Sequence, residues 1–309
     1  MASSPIEIDH IIGFSGKYKQ SLHYHNKMPG IILYSIGSYI IIEDINDKHK
    51  QTVLKGHDND ISIIALSNSG KLVASGQIGS VIKKNQIAPI IIWDIEKKKS
   101  EFILKGLEME VTQLAFSKDD RFLAAYGLNN LLLIMDCKDG STVLNKYFEF
   151  PLSFICWGDL FGGSSEKHPS YFFMMGHSKD VYICTYEFDI ASMQYNMKTG
   201  KCQLPSTGLV RNYTSSQISK EFLYLGTNVG EICVFHIYTR LYKGAIQVSS
   251  NGLFSFIATD EYLFAGGGEG KLRKLNIKEF LNWSEEKELQ LDGKIMNISS
   301  DIEKKEILC

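Results

Sequence analysis

The chain has 309 residues, with 33 Lys and Arg against 35 Asp and Glu, a formal net charge of −2. That balance excludes a polybasic nucleic-acid arm and an acidic disordered tail. Hydrophobic residues at 44% and charged residues at 22% suit a folded globular chain, and 6 prolines leave no long proline-rich linker.

Isoleucine (36 residues), phenylalanine (17) and tyrosine (15) bias the chain toward strands, where β-branched and aromatic side chains pack on a pleated surface. The opening Met-Ala-Ser-Ser-Pro is followed by Glu7 and Asp9, not by a basic and then apolar run, so no secretory signal is expected. No apolar run approaches the roughly 18 residues of a membrane span. The six cysteines, Cys137, Cys156, Cys184, Cys202, Cys233 and Cys309, form no CxxC pair; reduced thiols in an intracellular chain are expected.

A first strand is read over Ile6 to Phe14. His23-Tyr24-His25 then places two imidazoles on one strand face, a weak metal pattern because no third ligand accompanies it. Further along, the chain repeats itself. Ile61 to Ser75 (ISIIALSNSGKLVAS) aligns without a gap to Val111 to Ala125 (VTQLAFSKDDRFLAA), 50 residues on, and Leu-Lys-Gly precedes both, at 54–56 and 104–106. Third strands follow, Ile90 to Ile95 with Trp93-Asp94 and Leu132 to Cys137 with Met135-Asp136. They lie only 42 residues apart, so the first unit holds an eight-residue insertion within Gly79 to Pro89. Similar strands recur at Tyr39–Asp44, Asp180–Thr185, Glu231–His236 and Lys271–Asn276, each after a glycine-rich or polar turn. Gly266-Gly267-Gly268-Glu269-Gly270 is such a turn. It is followed by a strand, not by the helix a phosphate loop requires.

Four short strands per unit of about 40–45 residues is the pattern of a WD-repeat β-propeller. The chain resembles that family through Gly56-His57 paired with Trp93-Asp94. The fold expected is all-β: one propeller over 1–309, with 6–14 as a closing strand, six blades over 12–286, and an incomplete seventh over 287–309. The blades are read at 12–47, 48–100, 101–146, 147–198, 199–245 and 246–286, and two strands of the seventh at 294–298 and 306–308. The unfinished last blade suggests the N-terminal half of a longer, two-propeller protein. By the resemblance, His57, Ser75, Trp93 and Asp94 are the structural network of one repeat. The family's Asp in the turn after the second strand is replaced here by the insertion, so that network is expected to be incomplete. Lys83 and Lys84, inside the insertion, are the candidate partner-contact loop.

Ile12-Gly13-Phe14-Ser15-Gly16, the Ser75-Gly76-Gln77 step into an insertion, and Tyr224-Leu225-Gly226-Thr227 through Gly230-Glu231-Ile232 narrow the resemblance. They are similar to the WD-repeat cilia- and flagella-associated family, more than to the echinoderm microtubule-associated-protein-like family. This resemblance implies a non-enzymatic scaffold of the axoneme: a microtubule inner protein that binds tubulin and inner-junction proteins in doublet microtubules. It implies no cofactor, metal, nucleic acid, membrane or small-molecule substrate. The alternative is a soluble WD-repeat adaptor, as in a ubiquitin-ligase receptor or a trafficking complex. No GxSxG, HExxH, GxxxxGK[ST] or H-x-E…PCxxC motif points to an enzyme.

Overall fold

A computed structural model describes residues 8, 10–82, 86–158, 161–165, 168–177, 179–204, 211–278, 283–301 and 306–309. Six antiparallel sheets follow one another along the chain. The first holds β1 (Leu22–Tyr24), β2 (Ile31–Ile36), β3 (Tyr39–Asp44) and β4 (Asp47–Lys55). The second holds β5 (Ile61–Leu66), β6 (Leu72–Gln77), β7 (Ile90–Asp94) and β8 (Lys99–Leu104). The third holds β9 (Val111–Phe116), β10 (Phe122–Gly127), β11 (Leu131–Asp136) and β12 (Thr142–Tyr147). The fourth joins β13 (Phe154–Trp157), β15 (His168–His177), β16 (Asp180–Asp189) and β17 (Gln194–Lys201), with β14 (Phe161–Ser165) folded back as a hairpin on β15. The fifth holds β18 (Tyr213–Ser219), β19 (Phe222–Thr227), β20 (Glu231–His236) and β21 (Leu241–Gln247). The sixth holds β22 (Leu253–Ala258), β23 (Tyr262–Gly267), β24 (Lys271–Asn276) and β25 (Ser284–Gln290). A two-stranded sheet, β26 (Ser299–Ser300) with β27 (Ile307–Leu308), ends the series.

The strand sequences explain their places. Middle strands are sandwiched between neighbouring blades and read as continuous apolar runs: every residue of β10 (FLAAYG) and β11 (LLLIMD) is buried. Outer strands face solvent, so all seven residues of β25 (SEEKELQ) are exposed. The core is a series of wedges between consecutive blades. Ala74, Ile90 and Ile92 of blade two pack with Leu114, Leu123 and Leu133 of blade three. Phe122 and Tyr126 of blade three pack with Trp157, Tyr171 and Tyr186 of blade four. Close approach is permitted by glycine at the end of the second strand. A Cβ on Gly76 would lie 2.4 Å from the Val111 Cβ, and one on Gly266 would lie 2.4 Å from the Ile295 Cγ2. The left-handed turn conformation falls instead to the glycine before the third strand, Gly230 at φ 86° and Gly270 at φ 81°.

The expected blade limits need correction. The strands read as opening the second and third units pair with the sheet before them: β4 with β3 and β8 with β7. The sheets thus run 22–55, 61–104, 111–147, 154–201, 213–247 and 253–290. Among the described residues the propeller has six blades of four or five strands, and the two-stranded sheet stands at the seventh position. That sheet pairs at Ser299 and Ser300, not over 294–298, because Ile295 and Ile298 turn inward and pack on Ile257 of blade six. Part of the expected closing strand lies outside the described residues, and Ile8 and 10–14 form no strand. The Ile11 amide instead bonds the Gln51 side chain at 3.0 Å, on blade one.

Closure runs along the inner wall. Ser62 Oγ donates to Val111 O at 2.7 Å, Thr214 Oγ1 donates to Leu253 O, and Ser255 Oγ accepts from the Ile298 amide at 2.9 Å. Each links one blade to the next. The same device shuts the ring: Ser299 Oγ accepts from the Tyr24 amide at 2.8 Å, beside Asn297 Nδ2 on Leu22 O at 2.5 Å. Ser299→Ala leaves the Tyr24 amide without its acceptor. Stability should fall by about 1–2 kcal/mol, and amide exchange should quicken over 22–24 before it does over the buried strands. Unchanged exchange there would show that the seam does not depend on this bond.

Candidate interaction face

One face of the ring carries the segments that lead into the inner strands. At its second blade lies a buried polar network. Ser75 and Gln77 are alternate residues of β6, so their side chains share one face of the strand. Trp93 Nε1 donates to Ser75 Oγ at 2.8 Å, and His57 Nε2 lies 2.6 Å from the same oxygen. His57 Nδ1 lies 2.7 Å from Gln77 Oε1, and Gln77 Nε2 donates to Asp58 Oδ1 at 2.6 Å. Ser80 Oγ donates to the other Asp58 oxygen. The Gln77 amide sets the direction. Its nitrogen donates to Asp58, so its oxygen accepts from His57 Nδ1–H, and the Ser75 hydroxyl then donates to His57 Nε2. Ser75 and Gln77 are fully buried, and a chain of bonds in low dielectric polarises its members.

The structure brings together three of the four residues named from the repeat pattern: His57, Ser75 and Trp93. Asp94 stands apart. It caps the β7–β8 hairpin, accepting from the Lys97 amide at 2.7 Å, and this bond together with Lys97's charge lowers its pKa. The expectation of an incomplete network is corrected, because Gln77, Asp58 and Ser80 extend the set where the insertion removed the usual turn. Gln77 was detectable in the sequence, two residues beyond Ser75 on the same side of the strand. Asp58 and Ser80 give no such periodic signal.

Lys83 and Lys84 lie outside the described residues. The flanking parts of the insertion form a strap to blade three. Ile78 bridges Glu110 and Ile87 bridges Glu108. The Ala88 amide donates to Leu107 O at 2.9 Å and the Met109 amide to Gln86 O at 2.9 Å. Val81 and Ile82 project from it at 72% and 79% exposure. Exposed Met109 and Leu128 continue the apolar surface, the Leu128 amide reaching Glu110 O at 2.9 Å. Phe150, half-exposed, stacks on His177 with ring centroids 4.3 Å apart.

Both imidazoles of the His23–His25 pair are engaged in hydrogen bonds. His25 Nε2 meets Gly70 O at 2.9 Å while its Nδ1 accepts the Met28 amide at 2.9 Å, and His23 Nε2 meets Ile64 O at 3.1 Å. Burial lowers the pKa of both rings despite those carbonyls. Among the described residues no group of three or more His, Cys, Asp or Glu could hold a metal ion. The six cysteines are unpaired, and burial pushes the Cys184 and Cys233 thiols up to about 12, well away from reactive thiolate.

No family model matches the chain. Its relatives do. The chain is similar to cilia- and flagella-associated protein 52. It is 28% identical to that protein of Chlamydomonas reinhardtii over 281 residues, 88% of this chain and 43% of the relative. It is 40% identical to the Homo sapiens protein over 73 residues, 24% of this chain and 12% of that one. The chain thus spans less than half the length of the curated relatives it matches. The family resemblance carried by Ile12 to Gly16 and by the Ser75-Gly76-Gln77 step agrees with these relatives. Among solved structures, the RRP9 WD40 repeats superpose with a TM-score of 0.70 at 13% identity, over 95% of this chain and 87% of that one. U3-55K superposes with a TM-score of 0.66 at 12% identity, over 95% and 88%. At such identity these two neighbours establish the WD40 propeller fold alone.

Proposed function

We propose that this chain is a non-enzymatic WD-repeat scaffold of cilia and flagella, located in the axoneme. In this reading it is a microtubule inner protein, binding tubulin and inner-junction proteins in doublet microtubules. The observation that carries it is the similarity to cilia- and flagella-associated protein 52 across 88% of the chain. The shape suits the role. A ring braced blade to blade presents rigid loops on two faces, and many small contacts repeated along a filament add avidity. The face that carries Val81, Ile82, Met109 and Leu128 offers apolar surface for such contacts.

The test is extraction of a tagged chain from ciliated cells, first with detergent and then with high salt. Retention along the doublets is expected, because a luminal protein is enclosed as well as bound. Release with the detergent-soluble fraction would overturn the axonemal reading in favour of a soluble adaptor.

A further inference from the structure

The ring encloses a central channel of about 650 Å³, walled by the inner strands of all six blades and by 296–300. Charged groups gather where the segment leading into blade one meets blades two, three and six. Lys17 pairs with Asp60 at 3.6 Å and also feels the nearby Glu110 charge. Two further lysines flank one aromatic ring: Lys19 Nζ sits 5.3 Å and Lys294 Nζ 4.6 Å from the centroid of Phe254. Both side chains are exposed, and neither has an ion-pair partner among the described residues. Lysines elsewhere on the ring find one readily, such as Lys97 with Glu101 at 2.7 Å and Lys271 with Glu288 at 2.7 Å. The enclosing walls, and then the Lys294 charge, lower the pKa of Lys19. An aromatic face compensates a cation only in part, and here it serves two that repel each other.

We propose that Lys19, Lys294 and Phe254 form a receptor for an acidic, extended segment of a partner protein, which places a Glu or Asp carboxylate between the two ammonium groups. A carboxylate there makes two charge-assisted hydrogen bonds and relieves the like-charge repulsion. A nucleic acid fits poorly, since the net charge is −2, Glu110 lines the same channel, and Asp60 pairs with its Lys17. The site rests on the channel geometry and not on the ciliary reading, and binding in vitro is scored separately from localisation.

The experiment is fluorescence anisotropy of the purified chain with a labelled, end-capped hexaglutamate peptide. Hexaglutamine, a thymidine oligonucleotide and inorganic phosphate are the comparison ligands. Hexaglutamate should bind in preference to all three, and its Kd should rise about tenfold between low and moderate salt. Lys19→Gln with Lys294→Gln should raise Kd by about tenfold or more. Phe254→Leu should raise it by a few-fold, and Lys220→Gln, whose lysine pairs with Asp260 elsewhere, should leave it unchanged. The double lysine variant should melt at or slightly above the parent temperature, since a repulsion is removed. Equal binding of hexaglutamine, tighter binding of the oligonucleotide or phosphate, or an unchanged Kd in a folded double variant would each overturn the proposal. The comparison ligands need only the parent chain and decide the matter even if a variant misfolds.

Discussion

Ser75→Ala should destabilise the propeller by about 3–4 kcal/mol, the largest effect expected of any single-atom deletion in blade two. The hydroxyl is the one acceptor of the Trp93 indole N–H and stands 2.6 Å from His57 Nε2. Trp93 is only 3% exposed and Ser75 is fully buried, so water cannot replace the lost partner. Leaving a buried polar group unsatisfied costs about 1–3 kcal/mol, and here two groups lose their partner together. The downstream bonds weaken as well, since His57 no longer receives the proton that polarises its link to Gln77. Urea denaturation measures the loss. Trp93→Phe in the Ser75→Ala background should recover part of it, because the orphaned N–H is gone, giving a non-additive cycle of about 1 kcal/mol or more. A loss below about 1 kcal/mol, or an additive cycle, would mean that the network does not brace the blade.

The same blade shows what the sequence discloses. Strands covered on both faces are legible, because burial forces apolar runs: IIIWD of β7 and LLLIMD of β11 could be nothing else in a repeat of this length. The repeat spacing then yields the ring. Outer strands are harder to place. Solvent imposes little pattern on β25, all of it exposed, and nothing in β4 or β8 says that each pairs with the sheet before it. The half-blade was misread for a related reason. Ile295 and Ile298 look like strand residues, yet they serve as a wedge against Ile257, while the pairing falls to polar Ser299 and Ser300. Of the candidate site, His57, Ser75 and Trp93 followed from the repeat pattern. Of the residues that extend the network, Gln77 could be found from its place two residues beyond Ser75 on the same strand face, while Asp58 and Ser80 contribute through loops, where no period marks them. The Lys19, Phe254 and Lys294 cluster has no sequence pattern at all, since residues 275 apart meet only once the ring is shut.

A second network of this kind titrates, and its titration should be visible in stability. Glu269, in the glycine-rich turn before β24, receives a hydrogen bond from Ser249 Oγ and pairs with Arg273 Nη1 at 2.7 Å. Burial alone would raise its pKa. The Ser249 and Arg273 hydrogen bonds and the Arg273 charge outweigh burial and hold it at about 2, against 4.5 for the free side chain. A carboxylate depressed by folding stabilises the native state at every pH above its unfolded value, and the contribution disappears as pH falls from about 4.5 to 2. The depression corresponds to about 3 kcal/mol. Glu269→Gln should therefore lower stability by about that amount at pH 7 and flatten the loss between pH 4.5 and 2. The variant is a fair one, because Arg273 keeps Glu288 at 2.9 Å and is not stranded as a buried charge. Denaturant melts of both proteins across that range decide the matter. Parallel curves would assign the acid sensitivity to other carboxylates, whereas curves that converge toward pH 2 locate it in this turn, where blade six meets the half-blade that closes the ring.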